Sequence, residues 1–273
     1  MSDAKAIRLL LSDVDGTLVT NDKVLTEGAI LAAHALRRAG VALAVTSSRP
    51  ARGMQMLVEP LGLQLPLAGC NGGVLVNPDM TVIDTRLIDP AAAKTIVDFL
   101  LKQGLDVWVY TETEWLVRDP KAAHVERERF ILRFDATVVS EFTEAHLHHA
   151  VKIVGVGDDF PLIASSEAAA QSLLGETASA TRSAAYFLDV TNPLANKGQV
   201  VRTLVERLGI SPAQIATIGD MPNDVLMFKQ SGFSIAMGNA ADDVKAQASA
   251  ITDSNQDDGW AKAVRKYLLV GDA

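Results

Sequence analysis

Two aspartates, Asp13 and Asp15, follow directly on an apolar run in the stretch LLLSDVDGTLVT. A buried strand that ends in two carboxylates brings like charges together and strips them of water, so it needs a counter-charge. Other runs end in equally reactive residues. Thr46, Ser47, Ser48 and Arg49 follow LAV, Asn71 and Gly72 follow PLAGC, and Asp220, Asn223 and Asp224 follow IATIG. Lys197 begins a helical pattern shortly upstream of the last group.

If these runs are neighbouring strands of one open parallel sheet, their carboxyl ends share an edge, where such sheets bind ligands. Asp13, Asp15, Asp220 and Asp224 would repel one another there without a cation. Hard carboxylate oxygens with no His or Cys nearby favour Mg²⁺ over zinc. A lysine, a serine hydroxyl and the amides of a glycine-containing loop suit phosphate oxygens. The chemistry so described is phosphoryl transfer, in which positioning and charge neutralisation dominate. An aspartate aimed at phosphorus can act as nucleophile, and a second acid two residues on can carry protons to and from it. Gly16 lets the chain turn away sharply.

The elements that must hold these groups alternate in type. Ile7–Leu11 predicts a buried strand, Thr26 caps a helix that Gly40 ends, and VALAVTSS predicts a second strand. A helical stretch around ARGMQMLVEPLG follows. LPLAGCNGGVLV and MTVIDTRLI then predict strands joined by a turn at Asn77–Pro78–Asp79. The alternation resumes with a helix over Lys197–Leu208, the strands IATIGD and FSIAMG, a short strand at Ile251–Thr252 and a closing helix. Strands alternating with helices predict a doubly covered parallel sheet, an α/β Rossmann-like core.

The middle of the chain has a different pattern. It predicts a helix near Pro90–Gln103, an antiparallel hairpin in LDVWVYTETEWLVRD, a polar helix KAAHVERERFILR, a strand HAVKIVGVG, a helix from Ser166 and a strand AAYFLDV. GETASATRSAA has the composition of a loop. The expected organisation is a core of residues 1–84 and 190–273 with an α+β domain, 85–189, inserted as a cap. His146, His148 and His149 sit in that block, away from the acids, and are taken as surface histidines; Asp158 and Asp159 are taken as a turn. Arg49 fits either a role at the phosphate or a structural ion pair.

Composition sets the outer bounds. The 273 residues are 48% hydrophobic and 21% charged, enough for a core without staples. A formal net charge of −8 argues against general nucleic-acid or anionic-membrane binding. Cys70 is the only cysteine, which excludes an intramolecular disulfide and suits a reducing compartment. No apolar run reaches the roughly 18 residues of a membrane span. The expectation is a soluble cytoplasmic protein, monomeric or homodimeric.

DVDGT, VTSSR, NKG and GDMPND, in that order, resemble the four motifs of the haloacid dehalogenase superfamily. FSIAMGNA and the Asn71–Gly72 pair sharpen the resemblance to its Cof-type, class IIB members, with their inserted α/β cap. The resemblance spans almost the whole chain and implies a Mg²⁺-dependent phosphatase of sugar phosphates or related small metabolites. It implies Asp13 as nucleophile, Asp15 as general acid/base, Ser47 on the transferring phosphoryl group and Lys197 as its neutralising partner. It further implies Asp13, Asp220 and the backbone carbonyl of Asp15 as Mg²⁺ ligands, with Asp224 at the metal or its waters. Asn71, Gly72 and Asn223 fall on the phosphate or substrate side. TSSR stands where TGR is commoner, so Thr46 and Ser48 compete with Ser47 for the phosphate; register favours Ser47. Pro222 lies inside the fourth motif and restricts that loop. A phosphomutase of the phosphomannomutase kind shares this chemistry, and a phospho-acceptor module that stores the aspartyl-phosphate is the alternative of a different class.

Overall fold

The computed structural model describes residues 7–269. From the amino end, β1 (Leu9–Ser12), α1 (Glu27–Arg38) and β2 (Ala42–Val45) form the first βαβ unit. Thr26 caps α1 by accepting a hydrogen bond from the Ala29 amide at 3.1 Å. The stretch after β2 winds as a 3₁₀ helix over Ala51–Leu57 and becomes α-helical only for Val58–Leu61.

The two strands expected next are three. β3 (Leu67–Gly69) and β4 (Val74–Val76) pair antiparallel, and β5 (Val82–Thr85) adds to β4. The break inside LPLAGCNGGVLV falls at Cys70, Asn71 and Gly72, which all have positive φ (51°, 58° and 97°). Such a run costs non-glycine residues about 1–2 kcal/mol each. Apolar patterning does not register it, because the residues on both sides are equally buried.

The inserted block builds a six-stranded sheet. After α2 (Pro90–Lys102), β6 (Asp106–Tyr110) and β7 (Trp115–Val117) form the expected hairpin, with Trp108 opposite Val117. Next come α3 (Val125–Leu132), β8 (Thr137–Val138), α4 (Glu144–His148), β9 (Lys152–Val156) and α5 (Phe160–Leu174). α5 starts six residues before Ser166, because Asp159 caps it and Pro161 fits its first turn. Asp159 is thus a cap, and Asp158 pairs with His124. The loop expected at GETASATRSAA contains β10 (Ser179–Ala184), an edge strand whose Ser, Ala, Thr and Arg residues carry no apolar alternation and of which only Ala180 is buried. It pairs with β11 (Phe187–Thr191), and the sheet order is β10-β11-β9-β6-β7-β8.

The chain then returns through α6 (Lys197–Leu208), β12 (Ile215–Gly219), β13 (Phe233–Ala236), β14 (Ala250–Ile251) and α7 (Gly259–Ala263). The strand order is β14-β13-β12-β1-β2, all parallel. Leu9 and Leu11 pack with Val200, Val201 and Leu204 of α6, while Leu10 packs in the cluster of Ala29 and Leu36 of α1. Both faces are therefore covered, which is why these strands are continuously apolar. The α1-side cluster continues into Trp108, Trp115 and Val154, so one face of the six-stranded sheet packs on the core.

Candidate active site

Register brings the candidate residues together. Ser12 lies beside both Val45 and Ile218, so the residues following β1, β2 and β12 emerge at one level. The Asp13 amide donates to the Ile218 carbonyl at 3.0 Å, and the Thr46 amide to the Ser12 carbonyl at 2.9 Å. Gly16, at φ +80°, passes so close to Asp220 that a Cβ there would collide with its carboxylate.

Lys197, 2% exposed at the start of α6, reaches into the cluster. Its Nζ lies 2.6 Å from Asp13 Oδ1 and 2.6 Å from Asp224 Oδ1. Asp224 is fully buried, and its Oδ2 accepts the amides of Asp220 and Met221, both at 2.9 Å. It ties the lysine to the loop after β12. Asp220 accepts from Thr17 Oγ1 at 3.0 Å and from Asn239 Nδ2 at 3.2 Å.

The electrostatics are unbalanced. Burial pushes the Asp13 carboxyl well above the ordinary carboxylate range; Lys197 opposes this, while Asp224 and Asp220 add to it. Burial and the neighbouring Asp224 raise Asp220 to about 6. Burial works against the Lys197 charge too, yet Asp13 and Asp224 hold it above its ordinary value. Three carboxylates thus face one ammonium.

A divalent cation fits this site. Asp13, Asp220 and Asp224 each offer an oxygen within 4.8 Å of the others, and Asp13 Oδ2 is buried with no hydrogen-bond partner. An all-oxygen donor set suits Mg²⁺. Asp224 already serves Lys197 and two amides, so the donors with most capacity left are Asp13 and Asp220.

Asp15 is oriented differently. Arg49, 4% exposed, grips it with Nε on Oδ2 and Nη2 on Oδ1, both at 2.6 Å, and Lys23 Nζ lies 2.8 Å from Oδ1. Burial alone would raise this carboxyl, but Arg49 and then Lys23 bring it down to about 2. Its side chain is not among the clustered oxygens.

Ser47 is buried where β2 ends, its Oγ accepting from the Arg49 amide at 3.1 Å. The Asn71 amide donates to the Ser47 carbonyl at 2.7 Å, which explains the left-handed turn: it folds Asn71 back onto this loop. Asn71 Oδ1 then accepts from Asn223 Nδ2 at 3.1 Å, joining the second and fourth motif loops. Gly72 turns instead toward α6, where a Cβ would meet Val200; its position is set by packing. His146 closes the capping box of α4, and His149 faces Glu112, so neither belongs to the acid cluster.

Sequence reasoning assigned no role to Thr17, Lys23 or Asn239. Thr17 and Asn239 lie inside the quoted motifs DVDGT and FSIAMGNA, so their position was a usable signal. Lys23 sits in a turn that carries none.

A family model of haloacid dehalogenase-like hydrolases matches residues 10–264, and the chain belongs to that family. It is therefore an enzyme of the hydrolase class, and its curated relatives are named as phosphatases. A 5-amino-6-(5-phospho-D-ribitylamino)uracil phosphatase of Bacillus subtilis is 24% identical, over 96% of this chain and 98% of its own. An HMP-PP phosphatase of Cronobacter sakazakii is 27% identical, over 88% of this chain and 87% of its own. A solved HAD subclass IIB sugar phosphatase matches with a TM-score of 0.84 at 22% identity, covering 96% of this chain and all of that one (100%). The fold is thus that of subclass IIB. Among the described residues no helix is long and apolar enough to cross a membrane.

Proposed function

We propose that this protein is a Mg²⁺-dependent phosphatase that hydrolyses the phosphate monoester of a small metabolite, of the sugar-phosphate kind, through an aspartyl-phosphate on Asp13. In this reading residues 1–84 and 190–273 form the catalytic body and 85–189 the cap. The observation that carries it is the state of Asp13: one oxygen is held by Lys197 at 2.6 Å, and the other is buried without a partner. The relatives named as phosphatases support it.

Asp13 attacks phosphorus, forming an O–P bond as the bond to the leaving oxygen breaks. Lys197 holds the nucleophile's orientation and offsets phosphoryl charge, and Ser47 binds a phosphoryl oxygen, with the Asn71–Asn223 pair closing that side. Mg²⁺ held by Asp13, Asp220 and the Asp15 carbonyl, with Asp224 in support, would neutralise charge on the transferring group. In the second half-reaction water attacks phosphorus as the Asp13–phosphorus bond breaks, and Asp15 takes the water's proton, a task for the ionised carboxyl that Arg49 maintains. Donating a proton to the leaving oxygen in the first half requires Asp15 to leave Arg49 and first take up a proton from solvent.

The test is a phosphate-release screen with Mg²⁺ over sugar phosphates, nucleotides and vitamin-precursor phosphates, alongside Asp13→Asn. Release by wild type and none by a cooperatively folded variant is the expected result. Turnover by Asp13→Asn would overturn the nucleophile, and an isomerised sugar phosphate without release would make the enzyme a mutase.

A further inference from the structure

Lys152 opens β9 on the face of the six-stranded sheet that packs on the core, and it is only 7% exposed. A lysine buried there is costly unless its charge is used. Its Nζ lies 2.9 Å from Asp189 Oδ2, on the same face of the neighbouring strand β11. Asp189 is 4% exposed. The pair is a charge contact without hydrogen-bond alignment, since neither Asp189 oxygen has a hydrogen-bond partner. The hydrogen bond that Nζ does make crosses to the core, to the Ser48 carbonyl at 3.3 Å.

That carbonyl is one end of a peptide unit whose other end is the Arg49 N–H. This N–H donates to Ser47 Oγ at 3.1 Å. Because the peptide is planar, fixing its carbonyl fixes the direction of its N–H. The Tyr110 ring, centred 5.4 Å from Nζ, and the Tyr110 hydroxyl bonded to Glu128 at 3.0 Å close the surroundings. The route therefore runs from Asp189 to Lys152, through one peptide plane, to the hydroxyl assigned to the phosphate.

We infer that Lys152 is a positioning residue of the inserted domain, which sets the orientation of the Ser48–Arg49 peptide and through it the phosphate-binding hydroxyl of Ser47. Asp189 supplies the charge that keeps Lys152 ionised and aimed. The inference rests on the proposed phosphatase reading, and it gives the inserted domain a direct hold on phosphate binding.

The experiment measures the Ki of inorganic phosphate against p-nitrophenyl phosphate hydrolysis with Mg²⁺ present. The variants are K152M, S47A, K152M/S47A and K152M/D189L, the last removing both buried charges so that no carboxylate is stranded. K152M is expected to raise Ki about tenfold, the size of one hydrogen bond from a charged donor, when Ser47 is present. On the S47A background it should change Ki less than about twofold, since coupled groups are not additive. K152M/D189L should show the same rise as K152M while melting cooperatively. Equal effects in both Ser47 backgrounds, or a wild-type Ki in K152M/D189L, would overturn the relay. A wild-type protein that neither turns over the aryl phosphate nor binds phosphate would overturn the function itself, and the relay with it.

Discussion

Arg49 holds Asp15 through two parallel hydrogen bonds of 2.6 Å, and the same guanidinium donates to the Ile131 carbonyl of α3 at 3.0 Å. The proposed proton carrier is thus fastened to a side chain that also touches α3. Arg49→Ala frees Asp15 from that geometry. Without Arg49 the Asp15 carboxyl rises from its lowered value, so the loss falls on the proton-accepting second half-reaction rather than on protonation of the leaving oxygen. We expect hydrolysis of the aspartyl-phosphate to slow about tenfold or more, and, because that intermediate is common to all substrates, similarly on an alkyl phosphate and on p-nitrophenyl phosphate. Single-turnover and steady-state kinetics on the two substrates check this, and a loss confined to the alkyl phosphate would count against the assignment.

Lys197→Met would strand Asp13 and Asp224 without their shared cation. Lys197 is 2% exposed and Asp224 fully buried, so solvent screens the pair little. Breaking a buried pair from one side costs about 3–5 kcal/mol. Urea denaturation without metal should show a loss of that order, and an unchanged midpoint would contradict the electrostatic account.

Chelation with EDTA should abolish phosphate release, and added Mg²⁺ should restore it. Mg²⁺ should also raise the melting temperature of the wild type by binding only the folded state. That linkage contributes about 2.7 kcal/mol when the ion is at a hundred times its Kd. Asp220→Asn should lose most of the upshift, read by calorimetry independently of activity.

Cys70 is fully buried, and burial pushes its thiol from 9.0 up to about 12. Native protein at pH 8 should not react with a disulfide reagent, and should react fully in urea. The folded value is raised, so the associated stability is fully present below pH 9 and is lost as pH rises toward about 12. Denaturation midpoints across pH 8–11 should fall accordingly, once the general alkaline trend is removed with Cys70→Ala.

Much of this protein was legible in its sequence. Alternating apolar runs define the parallel sheet, because a strand covered on both faces must be apolar throughout. The residues following those runs name the site, since the ends of neighbouring parallel strands share one edge. Asp13, Asp220 and Asp224 follow such runs, Lys197 opens the helix upstream of the last of them, and the structure brings the four together. Tertiary structure decided what each carboxylate does. Asp224 spends its oxygens on Lys197 and two amides, whereas Asp15 is turned to Arg49 and Lys23. Type and spacing do not distinguish these acids; their partners do, and those partners lie up to 27 and 34 positions away in the chain. The left-handed Cys70–Gly72 turn and the reach of Lys152 to Ser48, 104 positions away, follow likewise from packing between distant segments, which local periodicity does not encode.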